Sequence, residues 1–204
     1  MRIQSADGLS LEAELDRSRD SVGTMVICHA HPRMQGTMKS PLLIAVRDEA
    51  VARGWNVLRF NFRGVGASEG EFGDGTGEVS DALGAIGFAR SEFGDSPVTL
   101  LGWSFGGAIA LRVAGGEEVV IACVAIAPAI ERTKLPPASQ LGLEIPILIV
   151  CGDNDQVVSP ESCRRWAEEA GARYEEIKAA NHFFWAKYEV VTAVITDWLE
   201  REVV

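Results

Sequence analysis

Positive charge is in short supply in this chain: 19 lysines and arginines stand against 29 aspartates and glutamates, a net charge of −10. Such a surface repels a phosphate backbone, which argues against nucleic acid as a partner. Long apolar runs are missing as well. The longest, Val119 to Ile130, falls short of the about 20 residues that a bilayer span requires, so no membrane partner is expected. Residues Met1 to Asp7 lack the apolar segment of a signal peptide, and a cytoplasmic location is expected. The four cysteines, Cys28, Cys123, Cys151 and Cys163, contain no C-x-x-C pair and sit mostly in apolar runs. They read as buried, reduced thiols rather than disulfide or zinc ligands. No low-complexity stretch or repeat is present, and no run of like charges forms a tail. What remains is 204 residues with 47% hydrophobic and 24% charged content, the profile of a globular protein. Residues 1–204 are therefore expected to form a single domain.

Short β-branched runs alternate with helical patterns along the chain. Val22–Cys28, Trp55–Asn61, Pro97–Leu101, Val119–Ala127 and Ile145–Cys151 read as strands, with Arg173–Lys178 a less apolar edge strand. Between them, Pro41–Arg53, Gly77–Phe93, Ser104–Ala114, Pro160–Ala170 and Phe184–Glu202 read as helices. Ser40 and Ser159 are candidate N-caps, each followed by proline; Gly54 and Gly171 are candidate stops. Leu9–Arg17 alternates apolar and polar residues and reads as an antiparallel strand preceding the rest. Continuously apolar strands separated by helices predict a mostly parallel sheet of about seven to eight strands, covered by helices on both faces. Active sites of such sheets lie at the carboxyl ends of the strands.

At one of those ends stands Gly102-Trp103-Ser104-Phe105-Gly106, a G-x-S-x-G motif between an apolar strand and a helix. A nucleophile on this sharp turn needs small neighbours two residues away on either side. A serine hydroxyl also needs a base to take its proton and an acid to orient that base. In chain order the elbow is followed by the acid and then the histidine. Only one of the three histidines, His182, lies downstream of Ser104. For the acid, Asp153 and Asp155 compete in Gly152-Asp153-Asn154-Asp155. Asp153 can cap its own turn, and Asp155 lies further toward the histidine loop. The N–H of Phe105, at a helix N-terminus, is a natural oxyanion donor.

These residues resemble a serine hydrolase of the α/β-hydrolase superfamily, particularly its small bacterial esterase-like members. The resemblance runs from about Val22 to the last helix. It rests on His29-Ala30-His31-Pro32 with Gly36-Thr37-Met38, on Phe62-Arg63-Gly64-Val65-Gly66-Ala67-Ser68-Glu69-Gly70, on the elbow, and on Asn181-His182-Phe183-Phe184. Relatives often carry proline where this chain has Ala30. The resemblance implies an α/β-hydrolase fold, with Ser104 as nucleophile, Asp155 as acid and His182 as base. It also places the second oxyanion donor near His31. Pro32 has no N–H, so His31 is the expected donor, with Arg33 as the fallback.

The expected activity is hydrolysis of a small ester or thioester through an acyl-serine, with no cofactor and no metal. Arg33, Phe183 and Phe184 are candidate substrate-lining residues, and Trp103 reads as core. Other elbow-serine chemistries (peptidase, acyltransferase, haloperoxidase) and a non-catalytic binding protein on the same fold are the competing readings. His29 and His31 could share a metal only with a third ligand such as Glu69, Glu71 or Asp74. The glycines from Gly64 to Gly77 fit neither G-x-G-x-x-G nor a P-loop; they read as a turn-rich loop anchored by Arg63 through backbone carbonyls. The resemblance places any lid at Pro128–Glu144, which is too short for a lid domain, so an open site without a sizeable lid is expected.

Overall fold

The computed structural model describes residues 1–203. Its strands are β1 (Arg2–Gln4), β2 (Ser10–Asp16), β3 (Gly23–Cys28), β4 (Trp55–Phe60), β5 (Val98–Trp103), β6 (Val120–Ile126), β7 (Ile147–Gly152) and β8 (Arg173–Ile177). The helices are α1 (Pro41–Ala52), α2 (Gly77–Phe93), α3 (Phe105–Ala114), α4 (Pro160–Ala170) and α5 (Tyr188–Glu202). The eight strands form one sheet in the order β1-β2-β4-β3-β5-β6-β7-β8. β2 pairs antiparallel with both β1 and β4, and every pairing from β4 to β8 is parallel.

Every residue of β3, β4, β5 and β7 is buried, as a parallel sheet covered on both faces requires. Alternate residues serve opposite cores. Val98 and Leu100 of β5 belong to the core that α2, α3 and α4 also enter, whereas Leu101 and Trp103 belong to the core shared with α1 and α5. Chain direction across the sheet reverses between β3 and β5, which lie side by side with Cys28 opposite Gly102. The loops leaving these two strands therefore diverge to opposite faces and open a crevice between them.

Several local expectations need correction. α5 begins at Tyr188 rather than Phe184, because Phe184 and Ala186 take positive φ angles of 53° and 59° that no α-helix admits. Ser40 does not cap α1; its hydroxyl donates to the Thr37 carbonyl. Ser159 does cap α4, accepting from the Ser162 N–H. Arg63 is held by the carboxylates of Asp81 and Asp7, not by carbonyls. Strand β1 was not anticipated from the sequence.

The stretch between β6 and β7 carries only a short 3-10 turn, Ala138–Gln140. It runs along α3 and α4: Leu135 and Ala138 are buried there, and the Trp166 indole donates to the Pro136 carbonyl. No sizeable lid is present among the described residues, and none of the helices is long and apolar enough to cross a membrane.

Candidate active site

Ser104 leaves β5 with φ 56° and ψ −113°. Such a backbone costs about 1–3 kcal/mol for a residue with a side chain, and the surrounding packing enforces it. A Cβ on Gly102 would lie 2.1 Å from the Gly106 carbonyl oxygen, and one on Gly106 would lie 2.3 Å from that of Cys28. Only glycine lets strand β5, helix α3 and the end of β3 approach this closely. The Ser104 N–H donates to Ile126 and its carbonyl accepts from Ala108 and Ala129, so the turn is fixed on both sides.

The Ser104 hydroxyl donates to His182 Nε2 at 3.0 Å, and His182 Nδ1–H donates to Asp155 Oδ2 at 2.7 Å. The other Asp155 oxygen, Oδ1, accepts from the N–H groups of Val157 and Val158, both at 2.8 Å. The His182 and Asp155 side chains are both shielded from solvent. Asp153 takes a different place. Its Oδ1 accepts from the Ala180 N–H and so ties the loop after β7 to the loop after β8. The Trp103 indole N–H donates to the His182 carbonyl at 3.2 Å, bracing the histidine loop from the elbow side. That contact is between residues far apart in sequence, and only the apolar-strand position of Trp103 hinted at it.

The loop after β3 separates the two upstream histidines. His29 is fully buried; its Nε2 accepts from the Phe62 N–H, so its Nδ1–H donates to the Ala30 carbonyl. Burial holds this imidazole neutral, with a pKa of about 4. With both ring nitrogens engaged, His29 has none to share with a metal. His31 instead packs its ring on Phe72 and Phe105, at 4.8 and 5.2 Å between centroids. Partial burial, and then the charge of Arg33, lower its pKa. Its Nδ1 accepts from the Arg33 N–H at 3.1 Å, which occupies that N–H and removes Arg33 as an oxyanion donor. The N–H groups of His31 and Phe105 have no acceptor among the described residues.

The candidate lining residues divide. Phe184 is fully buried in the core under α1 and α5 and cannot line a substrate site. Phe183 is exposed beside the His182 ring, and the Arg33 guanidinium rests over the Phe72 ring at 4.8 Å. Phe72 was missed in the sequence, although an aromatic residue inside a glycine-rich loop was the available signal. Glu78 was also missed; its fully buried carboxylate accepts from the N–H groups of Gly73 and Gly75 and holds that loop against the elbow.

The family described as "Serine aminopeptidase, S33" matches residues 23–145. An uncharacterized protein from Rickettsia prowazekii is 32% identical over 183 residues, covering 85% of this chain and 77% of that one. A putative alpha/beta hydrolase of unknown function from Agrobacterium tumefaciens superposes with a TM-score of 0.90 at 28% identity, covering 98% of this chain and 94% of that one. A serine hydrolase without a lid from Xanthomonas campestris gives a TM-score of 0.82 at 25% identity, covering 98% and 93%. With more than half its length matched to that family and its sheet shared with those structures, the chain belongs to the serine aminopeptidase S33 family of α/β serine hydrolases, among small members without a lid.

Proposed function

We propose that this hydrolase cleaves a small carboxylic ester or thioester through an acyl-Ser104 intermediate, with His182 as general base and Asp155 as its orienting acid. The observation that carries the reading is the unbroken relay from Ser104 Oγ to His182 at 3.0 Å and on to Asp155 at 2.7 Å. Ser104 attacks the carbonyl carbon as His182 Nε2 takes its proton. The negative oxygen that forms is held by the N–H groups of Phe105 and His31, each worth about 10²–10³ in rate. His182 then gives the proton to the departing alcohol or thiol, and a water activated by the same nitrogen releases the acid. Four free, buried cysteines fit a reducing, cytoplasmic setting, and residues 1–204 are read as one such domain.

The test is a fluorophosphonate probe together with Ser104→Ala. Stoichiometric labelling of the native chain, lost in the variant along with hydrolysis of p-nitrophenyl acetate, is the expected result. An S104A variant with undiminished esterase activity sinks the assignment. The family's description favours a second reading, a peptidase acting at a free amino terminus. Turnover of amino-acid p-nitroanilides faster than of p-nitrophenyl esters would select it.

A further inference from the structure

Two large aromatic side chains remain in water beside His182. Phe183 is 41% exposed and Trp185 is 65% exposed, and their rings stack at 5.0 Å with only 14° between planes. Both rings keep a large part of their apolar faces in solvent, side by side. The backbone holds it there. Phe184 is sunk in the core at φ 53°, the Phe184 N–H donates to the Asn181 carbonyl, and the Lys187 N–H donates to the Phe184 carbonyl. Anchoring the middle residue inward throws its two neighbours outward. Phe183 also meets the His182 ring at 5.6 Å and the Trp103 ring at 6.2 Å, both near perpendicular.

The chemistry of the relay says which part of a substrate this pair faces. His182 Nε2 must reach the departing atom to protonate it, so the leaving group lies on the histidine side. The carbonyl oxygen turns the other way, toward Phe105 and His31. We infer that Phe183 and Trp185 form a subsite for a flat, uncharged aryl group carried by the leaving alcohol or thiol. A parallel pair of rings extends naturally to a third ring, and such a contact is worth about two- to tenfold in affinity. This inference rests on the Ser104–His182 reading, and it assigns the exposed aromatics to the leaving group rather than to the acyl chain.

The experiment compares kcat/KM for 2-naphthylmethyl acetate and cyclohexylmethyl acetate in the native chain and in Trp185→Leu. The naphthyl-to-cyclohexyl ratio in the variant, divided by that in the native chain, cancels the intrinsic reactivity of the esters. That quotient is expected to fall about fivefold, and Trp185→Phe should restore most of it. The butyrate-to-acetate preference should not move in Trp185→Leu. An unchanged quotient, or a shift in acyl preference instead, overturns the proposal while leaving the hydrolase reading intact. If the native chain cleaves no ester, the ester reading has failed, and binding decides the subsite alone. Quenching of tryptophan fluorescence in Ser104→Ala by 2-naphthylmethanol, lost in Ser104→Ala/Trp185→Leu, supports it; no quenching in either overturns it.

Discussion

At the scale of single residues, Asp155 is more than a negative charge near a histidine. Its Oδ1 is pinned by two N–H donors, so an asparagine there must keep its carbonyl oxygen on Val157 and Val158 and turn its amide NH₂ toward His182. That forces the imidazole into the tautomer with a proton on Nε2, which cannot accept one from Ser104. Asp155→Asn should lower kcat by about 10⁴ with the fold intact, read as ester turnover beside an unchanged thermal midpoint. Asp153→Asn keeps the acceptor for Ala180 and should stay within about tenfold of native activity; the opposite ranking would exchange their roles. His29 makes a prediction of a different kind. Its folded pKa of about 4 lies below the ordinary imidazole value of 6.5. The unfolded chain therefore takes up a proton that the folded one refuses, and stability present above pH 6.5 is lost as pH falls toward 4. By linkage the loss from this one group is about 2 kcal/mol at pH 5. His29→Gln, though less stable overall, should show a fall in unfolding free energy between pH 7.5 and pH 5 that is smaller by about 2 kcal/mol in urea titrations. Equal falls in both proteins would place the acid sensitivity elsewhere.

At the scale of elements, Arg63 joins three of them. From the loop after β4 its guanidinium donates to Asp81 of α2 at 2.7 Å and to Asp7, between β1 and β2, at 2.8 Å. Its backbone N–H donates to Asp81 as well. Asp81 is fully buried, so removing Arg63 leaves a carboxylate in the interior without its counter-ion. Arg63→Met should cost about 3–5 kcal/mol of unfolding free energy, whereas Arg63→Met/Asp81→Leu should recover more than half of it. A double variant as unstable as the single one would show that the packing of α2, not the stranded charge, sets the cost. This junction also marks where the sequence stops being readable. Apolar runs disclosed β3 to β7, and proline and glycine punctuation disclosed the bounds of α4, because those signals are local. The meeting of Ser104 with His182 was legible for a related reason: the elbow is a local motif, and His182 is the one histidine downstream of it. The partners of Arg63 lie 18 and 56 residues away, and nothing local announces them. β1 has three residues, too few to display a period. The run Phe183-Phe184-Trp185 looks like the start of a helix, and only the positive φ of Phe184 sorts one ring into the core and two into solvent.

At the scale of the whole molecule, the chain spends its length on the sheet and its covering helices, and the consequence is access. The segment from β6 to β7 is tied down rather than poised. Ala129 donates to the Ser104 carbonyl, Arg112 holds the carbonyls of Thr133 and Lys134, and Leu135 sinks into the core. Freeing it to swing would expose the buried Leu135 and Ala138 and orphan the Trp166 indole N–H. An enzyme whose cover must open shows that step in its rate, since a surface that favours the open form speeds turnover. Among the described residues no segment forms such a cover. The rate on tributyrin should rise hyperbolically and pass the solubility limit of that ester without a step. Activity on the emulsion should stay within about twofold of the value extrapolated from dissolved substrate, because the β6–β7 segment is anchored away from the site and offers no cover to be shifted. A pH-stat titration across the limit makes the measurement. A jump of about tenfold at the onset of turbidity would require a closed form that the Leu135 anchor forbids, and Leu135→Ser would then be expected to raise activity on dissolved ester to the emulsion value.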